Sequence, residues 1–88
     1  MFTLELKDGE RRVLDLRASR RMVITNVSEA PVRLRVTRRG PEGWAPVSGD
    51  VLLQPGRRWR GFARETGNGN AVVGVEGSAG APLVRVHF

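Results

Sequence analysis

The sequence predicts an all-β chain: a single antiparallel β-sandwich of about eight short strands, with Greek-key or jelly-roll connections and essentially no helix. Three observations carry that expectation. Apolar residues recur with a period of two in nearly every segment, as in strands with one buried face. Turn residues punctuate the chain at intervals of roughly ten residues, the spacing of sandwiches and barrels. No window places apolar residues three and four apart between caps, and no segment could serve as the crossover that parallel strands need. With 88 residues the chain has material for one core, so residues 1–88 are read as one domain.

Each element follows from the same alternation. Phe2, Leu4 and Leu6 alternate with Thr3, Glu5 and Lys7, and Asp8-Gly9 supplies a hairpin-type turn. Arg11 to Arg17 carries Leu14 and Leu16 on one face and Val13, Asp15 and Arg17 on the other. After Ala18-Ser19, the run Arg21 to Val27 sets Met22 and Ile24 opposite Val23 and Thr25. Ser28-Glu29-Ala30-Pro31 is a turn by composition. Val32, Leu34 and Val36 then alternate with Arg33, Arg35 and Thr37, the cleanest half-buried strand in the chain. From Arg38 to Asp50 the alternation fails. Gly40, Pro41, Gly43, Pro46 and Gly49 predict a long loop there, with Trp44 and Val47 pinning it to the body. Val51 to Leu53 is a short strand, and Gln54-Pro55-Gly56 a tight turn. In the strand Arg57 to Arg64, Trp59, Gly61 and Ala63 face opposite Arg58, Arg60 and Phe62. Gly67-Asn68-Gly69-Asn70 is a hairpin signal, because Asn and Gly adopt positive φ at low cost. Ala71 to Glu76 and Leu83 to Phe88 close the chain around a Gly-rich turn from Gly77 to Pro82.

Chemistry of the chain's own is not expected. The sequence has no cysteine, so it has neither disulfides nor thiolate nucleophiles or metal ligands. The single histidine, His87, falls on the strand face opposite Val86 and Phe88 and reads as an exposed strand residue. Ser19, Ser28, Ser48 and Ser78 sit in turns, where serine serves backbone hydrogen bonding. Glu42, Asp50, Glu65 and Glu76 lie in or beside loops with no catalytic or metal-ligand spacing. The chain is therefore read as non-enzymatic and without cofactor or metal. No leader pattern and no apolar run near the roughly 20 residues of a membrane helix is present. The protein is expected to be soluble, made in the cytoplasm and clear of membranes. Asn26-Val27-Ser28 matches the N-glycosylation pattern, which without a secretory signal is read as chance.

Binding is the remaining class. A domain this small buries only about 60% of its unfolded surface, so association with copies of itself or a scaffold is expected to support it. The net charge is +6, with Lys7 the only lysine. Guanidinium groups suit carboxylates and phosphates, although GC-rich codon usage produces the same excess. The candidate interaction surface comprises Arg33 and Arg35 on one strand face and Arg58, Arg60 and Arg64 on another. Trp59 or Phe62 stands beside each of the latter, and Trp59 and Trp44 are counted in the surface. Such arginines also serve as an ordinary solvated face that discourages edge-to-edge aggregation. Two rival readings remain: a nucleic-acid-binding module built on the basic and aromatic run Arg57 to Phe62, and a carbohydrate-binding module using Trp44 and Trp59. Exposed aromatics are scarce, so nucleic-acid binding is expected to be weak at most.

The segment Ile24-Thr25-Asn26-Val27-Ser28 followed by Ala30-Pro31-Val32, together with Leu53-Gln54-Pro55-Gly56 and the closing Gly-rich hairpin, resembles small β-sandwich accessory proteins of bacteriophage particles. These are capsid decoration (cement) proteins and head or tail spike modules. The resemblance spans most of the chain and consists of strand count, turn chemistry and size. It implies self-association, with a trimer favoured, attachment to a capsid shell, and localisation to the virion.

Overall fold

In a computed structural model, which describes residues 2–15, 21–40, 43–62, 70–77 and 82–88, eight strands carry the alternating pattern. They are β1 (Thr3–Leu6), β2 (Arg11–Asp15), β3 (Arg21–Asn26), β4 (Val32–Gly40), β5 (Gly43–Leu53), β6 (Arg58–Phe62), β7 (Asn70–Glu76) and β8 (Val84–His87). Within them, the side chains of residues 15, 38–40, 43–49, 62, 70 and 71 lie outside the description. The strands form two four-stranded antiparallel sheets, ordered β1-β8-β3-β6 (sheet A) and β2-β7-β4-β5 (sheet B). No helix occurs among the described residues, and none is long and apolar enough to cross a membrane.

The pairing has a simple rule. β1 pairs with β8, β2 with β7, β3 with β6 and β4 with β5. The chain thus behaves as one long antiparallel ribbon whose successive rungs alternate between the sheets, with β3–β8 and β4–β7 contacts joining them. That is the wrapping of a jelly roll. Alternation places Leu6, Leu14, Met22, Ile24, Val32, Leu34, Val36, Val73, Val75, Val84 and Val86 between the sheets, with Leu83 among them in one buried cluster. Leu4, Val51, Trp59 and Phe88 pack against its margins.

The ribbon corrects three sequence expectations. Asp8-Gly9 makes a tight turn, with Gly9 at φ 78° and the Glu10 N–H donating to the Lys7 carbonyl at 3.1 Å. It is not a hairpin, because β1 and β2 belong to different sheets. The turn is instead tied to β7: the Gly9 N–H donates to the Val75 carbonyl at 2.9 Å, and Asp8 Oδ1 accepts the Gly77 N–H at 3.0 Å. β6 and β7 likewise lie in different sheets, as do β7 and β8. The signals at Gly67–Asn70 and Gly77–Pro82, whose residues 67–69 and 78–81 lie outside the described residues, therefore do not join paired strands. Local turn chemistry permits the chain to reverse but leaves the next strand's sheet to long-range pairing.

The third correction concerns Arg38 to Asp50, expected as a loop. β4 and β5 pair through this stretch as the one hairpin of consecutive strands among the described residues, with Thr37 opposite Pro46, Arg38 opposite Ala45, Arg39 opposite Trp44 and Gly40 opposite Gly43. The register slips between Val36 (opposite Gly49) and Thr37, leaving Val47 and Ser48 over on the β5 side. Glycine and proline ended the alternation but not the strand. β5 is an edge strand, where a residue without an N–H is tolerated and a bulge absorbs extra chain.

At the end of the sandwich where β3 and β5 finish, Asn26 is the one buried polar side chain among the described residues, 1% exposed. Its Nδ2 donates to the Ala30 carbonyl at 2.9 Å and to the Leu53 carbonyl at 2.8 Å. Its Oδ1 accepts the Ser28 N–H at 2.8 Å and the Ser28 hydroxyl at 2.7 Å. The Asn26 backbone engages the neighbouring Gln54–Arg57 turn, donating to the Arg57 carbonyl and accepting the Gly56 N–H, both at 3.0 Å. That turn has Gly56 at φ 76° and the Arg57 N–H on the Gln54 carbonyl at 3.0 Å. One amide side chain thus joins two of the crossings between the sheets, β3 to β4 and β5 to β6. The glycosylation-like pattern at Asn26 is a folding device, since the nitrogen a glycan would occupy is buried with both hydrogens committed.

Candidate functional site

Outward-facing residues of the two sheets form two broad faces, and they divide the arginines singled out in the sequence. On sheet A, one cross-strand row reads Thr3, His87, Val23, Arg60, and the next reads Glu5, Arg85, Thr25, Arg58. Arg21, two residues before Val23, adds a further cation to the same face. Glu5 is the one carboxylate in these rows, and it is spoken for: Arg85 Nη2 donates to Glu5 Oε2 at 3.2 Å. Arg21, Arg58 and Arg60 are exposed and have no ion pair among the described residues. His87 is joined through Nδ1 to Thr3 Oγ1 at 3.1 Å, spanning β8 and β1 as an ordinary cross-strand pair.

Arg33 and Arg35 lie on the opposite side of the molecule, on the outer face of sheet B. The candidate surface is therefore two surfaces. Nor do the aromatics join it. Trp59 alternates with Arg58 and Arg60 to face inward, half-buried against the core. Its ring lies over Gly61, where an added Cβ would stand 2.6 Å from Cη2 and 2.8 Å from Cζ3. Gly61 is what lets the indole lie flat. The Trp44 side chain and Arg64 lie outside the described residues.

Sheet B presents a concavity rather than a flat field. Gly74, in the middle of the inner strand β7, is opposite Arg11 on one side and Arg35 on the other. The absence of a side chain there opens a trough of about 410 Å³, floored by Gly74 and Val72 and bounded by Arg11, Arg33, Arg35 and Thr37. Carboxylates stand at its rim: Glu10, Asp50 and Glu76. Arg35 is occupied by Asp50 opposite it, Nε and Nη2 reaching Oδ1 at 3.0 and 2.8 Å. Glu10 accepts the Lys7 N–H at 2.7 Å and sits 3.5 Å from Arg12 Nη2. Arg11 and Arg33 have no ion pair among the described residues, although Glu76 lies across from Arg33. Two apolar side chains, Val13 and Leu52, stand 63% exposed on the edge strands of this sheet.

Arg11, Gly74, Arg21 and Arg85 were not picked out in the sequence. Gly74 had a legible signal, a lone glycine inside Val72-Val73-Gly74-Val75, the pattern of a strand approached closely by a ligand or a second backbone. Among the described residues no three His, Asp or Glu side chains gather as metal ligands would. No protein-family model, curated protein or solved structure matches the chain.

Proposed function

We propose that this chain is a non-enzymatic structural binding module. In this reading it associates with copies of itself as a trimer and attaches to a larger protein assembly, as a capsid decoration or cement protein of a bacteriophage particle. Its location is then the virion. The jelly roll alone assigns no function, since capsid, lectin and cupin domains share it. The supporting observation is the charge on the outer face of sheet A, where Arg21, Arg58, Arg60 and Arg85 share a flat field with one carboxylate, Glu5. A field of one sign steers and orients docking onto an acidic protein surface.

The same cations give nucleic acid its claim as a second reading. What weighs against it is Trp59: single-strand binding relies on aromatic platforms beside the basic groove, and this indole faces the core. The inward turn also removes Trp59 from the carbohydrate reading, which needs an exposed ring.

Sedimentation of a producing culture's lysate tests the main reading. The protein is expected in the particle fraction, and an Arg58→Glu/Arg60→Glu variant is expected to leave it. Light scattering coupled to size exclusion is expected to give three times the 9.7 kDa chain mass. Fluorescence anisotropy with a short duplex and a short single strand, from about 50 to 200 mM salt, is expected to show weak binding lost near physiological salt. A monomer absent from particles, with submicromolar DNA binding at 200 mM salt that Arg58→Ala/Arg60→Ala abolishes, would replace this function with the nucleic-acid one.

A further inference from the structure

We infer that the trough over Gly74 binds a carboxylate-bearing, extended segment of a partner protein, gripped between Arg11 and Arg33. The inference rests on the attachment reading and gives it a second contact. The trough faces away from sheet A, so both faces can be occupied at once and one molecule can bridge two acidic surfaces.

The floor is built for close approach. Glycine inside a strand sacrifices packing and ordering free energy, and it recurs where another backbone comes near. An added Cβ at Gly74 would meet Arg11 Cγ at 3.5 Å, Arg11 Nε at 3.9 Å and the Arg35 carbonyl at 4.0 Å. The position therefore accepts a Cβ at ordinary contact distance, with the Arg11 side chain beside it, and lacks one. The resulting space of about 410 Å³ falls within the range of ligand sites.

The charge pattern selects the occupant. Asp50 holds Arg35, while Glu10 is engaged by Arg12 and the Lys7 N–H. Arg11 and Arg33 are left as planar donor forks on either side of the floor, the geometry that carboxylates accept in pairs. A continuous polyanion laid over this face would bring its phosphates against Asp50 and Glu76 as well, and like charges at such range repel. A carboxylate on a peptide side chain enters between the arginines and leaves the rim acids facing water or the peptide's own N–H groups.

The test uses the full chain and a fluorescein-labelled octaglutamate peptide in fluorescence anisotropy at fixed salt. Saturable binding is expected, weakened about tenfold by Arg11→Ala or Arg33→Ala, the scale of one charge-assisted contact. Gly74→Val fills the floor with a residue that favours strands. It is expected to weaken binding by at least tenfold while circular dichroism and Tm stay at wild-type values or rise. Arg57→Ala removes an equal charge from a turn that does not line the trough and is expected to change affinity less than twofold. Loss that is the same in Arg57→Ala and Arg33→Ala would mean general attraction to a basic protein and would overturn the site. Binding unchanged in Gly74→Val, or absent altogether, overturns it too, whatever the sedimentation result. Duplex DNA or inorganic phosphate displacing the peptide at equal charge concentration would overturn the ligand class.

Discussion

Changing Asn26 to aspartate replaces one buried nitrogen by oxygen and leaves the shape of the side chain intact. The oxygen facing Ser28 keeps both its bonds. The other oxygen now faces the Ala30 and Leu53 carbonyls, which it contacts as a nitrogen at 2.9 and 2.8 Å. Two donated hydrogen bonds are lost, each worth about 1 to 1.5 kcal/mol net, and two carbonyls lose their donor in a site 1% exposed. Together with repulsion among the oxygens, the variant is expected to be about 3 to 5 kcal/mol less stable at pH 7. For a domain of this size that lowers Tm by about 15 °C or more. The loss carries a pH signature. Burial and the two carbonyls raise the new carboxyl's folded pKa above its unfolded value of about 3.9. The native variant therefore binds more protons than the unfolded chain, and its stability falls as pH rises from about 4 through the raised pKa. Below pH 4 the protonated oxygen donates to one carbonyl and part of the loss returns. Urea titrations of variant and wild type between pH 4 and 8, compared as differences, measure it. A difference below about 1 kcal/mol, or one that grows toward acid, refutes the reasoning.

Three further perturbations test the packing. Gly61→Ala places a methyl where the Trp59 ring lies; in a Trp44→Phe background, tryptophan emission is expected to shift red and stability to fall by about 1 to 3 kcal/mol, and unchanged emission contradicts the packing. Gly56→Ala meets no atom within 4 Å, so its expected cost of about 1 kcal/mol is purely that of positive φ; Gly56→Asn should cost less, and equal costs in urea titration would dismiss that account. Leu34→Ala, at a fully buried position, is expected to cost about 2 to 5 kcal/mol, against less than about 0.5 for Leu52→Ala on the exposed edge; similar values for the two would deny the assigned faces of β4 and β5.

What the sequence revealed was the local part of this architecture. Met22 and Ile24, Val32, Leu34 and Val36, and Trp59 against Arg58 and Arg60 all face as their alternation predicts, because a half-buried strand imposes its period on its own residues. Sheet membership was not legible. It depends on β8 entering between β1 and β3, and β7 between β2 and β4, and nothing within those strands names the neighbour. This is why alternation marks Arg33, Arg35, Arg58 and Arg60 as outward without assigning them to the two opposite surfaces they occupy. Pro46 hid a strand because composition cannot tell an edge from an interior. Asn26 was visible as a polar break before a turn, and Asn-x-Ser is a turn-bonding pattern; its burial came from β5, supplied by Leu53 far along the chain.

The nesting of the ribbon also dictates an order of assembly. Only β4 and β5 are close in sequence, and each further rung closes a longer loop, out to Thr3 with His87. Loop closure opposes distant pairing, so a fold of this topology forms slowly and from the inside outward. The outermost rung completes sheet A, with β8 pairing against β3, Val84 and Val86 entering the core, and β1 pairing with β8. Until it does, the edge of β3 that faces β8 is unpaired. Any copy of β8 fits that edge, including one on another molecule, so crowding during folding favours exchange of the closing strand between chains.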